Sequence, residues 1–204
     1  SNYYGQNFDS HRYLNKFFDI SIDLPKVNIS NYMEYLGIER NSKYFNKTIH
    51  EIIEYYNFTM RDCIRYYQSL KIIEDLAGNC SNYGFSDDRG YNMIKMFILP
   101  ALMAIKIIDL KGYIKIINGN GFDIFFNIIN NVDILNRGIG FYMKKDKDGN
   151  ISEEKYKEQF LEMYNAIFNN NSNKEYDNDE ITLGKYSYEF IMESISLLKK
   201  GLKY

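Results

Sequence analysis

The segment Phe18-Asp19-Ile20-Ser21-Ile22-Asp23-Leu24 alternates apolar and polar side chains without exception and stops at Pro25. Period two over seven residues is the pattern of a half-buried strand. No other part of the chain reads as a strand with comparable clarity. A single strand leaves a row of backbone donors and acceptors with no ladder to join. Residues 18–24 are therefore expected to be an orphan strand. Its partners belong to a part of the protein outside these 204 residues, or to a second copy of the chain paired through the same edge. The first residues lack the basic and apolar regions of a leader, and Ser1-Asn2 reads as a boundary introduced into a longer protein.

After Pro25 the periodicity turns helical. Asn28 is a predicted N-cap, with Ile29, Tyr32, Met33 and Leu36 on one side and Gly37 as the stop. A second helix is predicted from Ser42 to Tyr56. A third, capped by Thr59, runs to Ala77, and its expected buried stripe is Met60, Cys63, Ile64, Tyr67 and Leu70. A polar loop follows from Gly78 to Gly90. Tyr91 to Ile108 then reads as a hydrophobic helix that Pro100 must kink or restart. Gly119-Asn120-Gly121 marks a turn, and Phe122 to Asn136 a helix. A charged turn from Lys144 to Asn150 leads into a helix from Ser152 to about Asn169. An Asn-rich loop reaches Glu180, and a last helix from Gly184 to Lys200 carries Phe190, Ile191, Ile195 and Leu198. The fold class expected is mainly α, a helical lid or bundle preceded by the orphan strand at about 18–24. Three regions follow: 1–25, a short helix around Asp9 to Phe17 and the strand; 26–90, three helices; 91–204, the C-terminal helices.

With 45% hydrophobic residues, including 20 Tyr and 14 Phe, there is ample apolar surface to offset the entropy of ordering the chain. The 25 basic and 27 acidic residues are interspersed, which gives no electrostatic case for a nucleic-acid or membrane-surface partner. The most apolar run, Met96 to Ile105, is closed off by Lys95 and Lys106, and a bilayer span needs roughly 20 apolar residues. No membrane span is expected. Cys63 and Cys80 do not make a disulfide framework, and Cys63 falls where a buried thiol is ordinary, so a reducing cytoplasm is the expected location.

Motifs that would carry chemistry within the chain fail on inspection. The Gly184-Lys185 pair has Asp179 where a phosphate-binding loop needs its first glycine and Tyr186 where it needs a hydroxyl. His11 and His50 lie far apart in sequence, with no cysteine or carboxylate cluster at zinc-ligand spacing, and both read as surface or helix-face residues. Asp146-Lys147-Asp148-Gly149-Asn150-Ile151 begins like a calcium loop. Counted from Asp146, however, the sixth position is Ile151 and the twelfth Lys157; counted from Lys144, the first is a lysine and the twelfth Lys155. A polar turn before a helix is the expectation there. No metal ligands are assigned, and no cofactor is expected in the chain itself.

The order of elements in the first seventy residues is distinctive. Tyr13-Leu14-Asn15-Lys16-Phe17 enters the strand, which ends at Leu24-Pro25, and after two helices comes Met60-Arg61-Asp62-Cys63-Ile64-Arg65. Over about residues 7 to 117 this resembles the distal part of the KAP family of P-loop NTPases, relatives of the AAA+ and STAND ATPases. In that family a Tyr-Leu-x-Lys element enters the last core strand, and a helical lid follows with a phrase like Leu-Arg-Asp-Ile-Glu-Arg. The resemblance implies a parent protein that binds ATP and magnesium through an N-terminal core missing from this chain. It implies that Arg61 senses the nucleotide's phosphates, with Arg65 one turn further on. Lys16 would occupy the place of an arginine finger, although lysine lacks the bidentate fork. Alone, the chain would be inactive. A stand-alone helical interaction module with a Tyr-rich binding surface is the alternative.

Overall fold

The computed structural model describes residues 29–36, 44–76, 88–169, 176–177, 181–183 and 185–201. The expected strand 18–24, together with Lys16, His11 and Cys80, lies outside them.

The apolar run around Pro100 forms the hub. Helix α4 (Asp88–Met93) passes through a π-helical turn, Ile94–Ile98, into α5 (Leu99–Ile108). Every residue from Leu99 to Ile105 is buried. The sequence predicts a kink or a restart at Pro100; the helix does not restart there, and its irregularity is the π turn just before the proline. Proline has no N–H to offer and its ring crowds the carbonyl four residues back. The π turn immediately before it widens the helix, so that the Leu99 N–H reaches the Ile94 carbonyl. Arg89–Ile108 is thereby 20 residues long, enough by length and composition to cross a bilayer, which the ten-residue run in the sequence does not suggest. Of its most apolar window 67% is buried inside the protein, as befits a core helix.

The other described helices are α1 (Ile29–Tyr35), α2 (Tyr44–Tyr56), α3 (Met60–Leu76), α6 (Leu110–Ile117), α7 (Phe122–Asn131), α8 (Asp133–Gly140), α9 (Glu153–Phe168) and α10 (Lys185–Gly201). The chain is mainly helical. Helices α2, α3, α6 and α7 lie against α5, α2 and α8 against the π turn, and α10 against α3 and α9. Residues of the regions 26–90 and 91–204 share one continuous apolar core.

Several expectations shift. The helix read from Phe122 to Asn136 is two helices, broken at Val132, whose backbone is extended (φ −99°, ψ 110°). Helix α6 was not foreseen; Asp109 caps it by accepting a hydrogen bond from the Gly112 N–H at 2.9 Å. Within the Asn-rich stretch, β1 (Tyr176–Asp177) pairs antiparallel with β2 (Thr182–Leu183), Tyr176 opposite Leu183. On α3 the buried stripe is Cys63, Tyr66 and Leu70; Met60 is exposed, and Ile64 and Tyr67 are only half-buried.

At Tyr56, at Thr59 and at both ends of α9 the boundaries agree with the sequence, whereas the Asn28 cap, the Gly37 stop, the Ser42 start and most of the 78–90 loop lie outside the described residues. Thr59 and Asp62 form a reciprocal cap on α3: the Thr59 hydroxyl donates to Asp62 Oδ2 at 2.6 Å and accepts from the Asp62 N–H at 3.3 Å. Ser152 caps α9. In the turn before it, Asp146 Oδ1 accepts from the Asp148 and Asn150 N–H groups at 3.0 and 2.8 Å, and Gly149 takes φ 79°. This is an Asx turn, as Asp and Gly at those positions favour.

Candidate functional site

Helix α3 presents the candidate residues. It enters through Asn57, which takes a positive φ of 49°, a conformation asparagine tolerates better than most residues. Phe58 then turns inward, buried, with its ring edge-on to Tyr66 at 5.5 Å. Tyr66 is fully buried and its hydroxyl donates to the Pro100 carbonyl at 3.1 Å, which ties α3 to the core rod. Burial raises the Tyr66 phenol well above its ordinary range, and the neighbouring Tyr56 adds to the effect. Cys63, also buried, is held against the Phe58 carbonyl; burial, and then the Asp62 charge, push its thiol up to about 11. A thiol that stays protonated at neutral pH is a core group and a poor nucleophile.

Arg61 and Arg65 sit on the opposite side of α3 and are exposed. At a spacing of four residues they project from neighbouring points of one face. Neither forms an ion pair with a described residue. The helix beneath them is fixed by the capped N-terminus and by the Tyr66 anchor, so both guanidinium groups stand on a rigid base. Arg61 lies in the first turn, where the backbone N–H groups make the local potential positive; Asp62 in the same turn is engaged with Thr59. The geometry offers two adjacent cations open to an anionic partner. Lys16 is outside the described residues, so its position relative to them is not part of this geometry.

No protein-family model, no curated protein and no solved structure matches the chain.

Among the described residues, no three His, Cys, Asp or Glu side chains converge as a metal site. His50 on α2 is buried, as are Thr48 and Ile49, so it is a core residue of that helix and not a surface one. The sequence did not anticipate a hollow between α2, the π turn and α8. Its volume is about 390 Å³, and its walls include Lys47, Phe97, Arg137, Gly138 and Phe141. The available signal was Arg137-Gly138-Ile139-Gly140-Phe141, two glycines closing a short helix between a cation and an aromatic ring.

Proposed function

We propose that the chain is the lid and C-terminal helical region of a P-loop ATPase resembling the KAP family. In the whole protein it folds over ATP and magnesium bound by an N-terminal core and carries the nucleotide state into the helical body. Support comes from the exposed Arg61–Arg65 pair on a rigidly anchored helix, at the positions where the family phrase carries its arginines. A cation held on a fixed element costs little reorganisation when charge moves onto the phosphates. Tyr66 bonds to the Pro100 carbonyl, so displacement of α3 by nucleotide is transmitted to the central rod. The residues of this chain would act as sensors only. The phosphate cradle and the magnesium ligands would come from the core.

A second reading, a helical interaction module, has its own observation. Ile108, Leu110 and Ile114 are 42%, 57% and 46% exposed at the corner between α5 and α6. An apolar corner of that kind suits a protein partner. Calorimetry with Mg-ATP separates the two when applied to this chain and to the product of the entire reading frame. The ATPase reading expects no tight binding to residues 1–204 alone and a saturable site in the entire product. Tight binding to residues 1–204 alone, or none to either, contradicts it.

A further inference from the structure

The hollow beside α8 is built as a ligand site independent of any nucleotide at α3. A volume of about 390 Å³ falls in the range of small-molecule pockets, on the order of 300–1,000 Å³. Its deep wall is the ring of Phe97, 3% exposed. Gly138 lies directly against that ring, and any side chain at 138 would collide with it. The hollow is also lined by Phe141, a phenyl ring 63% exposed, whereas the other phenylalanines among the described residues are buried or partly buried. Two aromatic rings lining one hollow offer stacking to a flat apolar group.

The charged side chains among the lining residues are both basic. Lys47 from α2 and Arg137 from α8 line the hollow, and none of its lining residues is acidic. Arg137 pairs with Asp133 four residues back, but both side chains are about 70% exposed (68% and 72%), and such a pair contributes little and yields readily to a competing anion. Glu51, the nearest acid on α2, is committed to the helix start, where its Oε2 accepts from the Ile134 N–H at 3.2 Å.

The mouth is also held in place. Gln159 clamps the residues after Phe141, its Oε1 accepting from the Lys144 N–H at 2.7 Å and its Nε2 donating to the Lys144 carbonyl at 3.0 Å. The Tyr176 hydroxyl donates to the same Oε1 at 3.2 Å, so the β1–β2 pair braces the loop from behind. A pre-formed pocket loses less entropy on binding than one that must be assembled.

We infer that this hollow binds a small aromatic or otherwise flat apolar anion, with the apolar body between Phe97 and Phe141 and the negative group at Lys47 and Arg137.

The test uses 8-anilinonaphthalene-1-sulfonate as the aromatic anion and N-phenyl-1-naphthylamine as its uncharged counterpart. Fluorescence titrations are run on the native chain and on the variants Lys47→Ala/Arg137→Ala and Phe141→Ala. All three substituted side chains are exposed, so the fold should survive, and circular dichroism confirms it for each protein. The sulfonate should bind saturably with one-to-one stoichiometry and the uncharged amine more weakly. The double variant should weaken sulfonate binding by about tenfold or more, as expected for loss of charge-assisted contacts, while leaving the amine unchanged. Phe141→Ala should weaken both. Equal sulfonate binding by the native chain and the folded double variant overturns the inference, as does binding that never saturates.

Discussion

Two tyrosines on α9 show how much a single hydroxyl decides. Tyr164 is buried, and its oxygen bridges the turn before α7, accepting from the Gly121 N–H at 2.9 Å and donating to the Ile116 carbonyl at 3.1 Å. Tyr164→Phe leaves the Gly121 N–H without this partner, while the Ile116 carbonyl keeps the Gly119 N–H, and should cost about 1–3 kcal/mol. Tyr156, two turns earlier, is also buried, and its hydroxyl has no hydrogen-bond partner. Tyr156→Phe removes an unpaired polar atom, so it should be neutral or stabilising by up to about 1 kcal/mol. Urea denaturation of the two variants should move the midpoint in opposite directions, or move it for Tyr164 alone; an equal loss for both contradicts the bonding described. Cys63 provides a pH test. Its folded pKa of about 11 lies above the ordinary thiol value of 9.0, so the fold favours the protonated form. That contribution is complete below pH 9 and is lost as pH rises toward 11, because the unfolded chain ionises first. The denaturation midpoint should fall over this interval, and fall less in Cys63→Ala; a drop of the same size in both proteins would remove Cys63 from the cause.

At the scale of elements, the start of α3 was readable because its cap is local. Thr59 and Asp62 lie three residues apart and satisfy each other, so sequence alone contains the interaction. Thr59→Ala should lower stability by about 1 kcal/mol in a thermal or chemical melt, and unchanged stability would show that the cap contributes nothing. The break at Val132 was not readable, for the opposite reason. No glycine or proline marks it, and the new helix start is held by Glu51, which is 83 positions away in the chain. Helix α6 is also held by a local cap, at Asp109 and Gly112, yet it follows a long isoleucine-rich run in which no stop is evident. The β1–β2 pair spans two residues on each side, too short for any period to register. On α3 the buried stripe is displaced from expectation: Tyr66 and not Tyr67 turns inward, where its hydroxyl is paired. Only the folded chain brings the Pro100 carbonyl to it.

For the whole molecule, the sequence shows which side of α3 is solvated but leaves the surroundings of that helix open. Arg61 and Arg65 read as a charged face, and they are one. The hollow beside α8 brings together residues 47, 97, 137 and 141, and no linear pattern joins positions that far apart. The assignment of α3 as a nucleotide-sensing lid rests on its arginine pair and on the family phrase around it, and steady-state ATPase assays test it most directly. The proteins are the product of the entire reading frame, its Arg61→Ala variant and its Arg65→Ala variant, at saturating ATP. Loss of Arg61 should lower the hydrolysis rate by a factor on the order of ten to a thousand, with a smaller effect on ATP affinity. Arg65→Ala, one turn further from the helix start, should lower it less. Equal rates for the unaltered protein and a folded Arg61→Ala variant would contradict the assignment and leave Arg61 an ordinary surface residue.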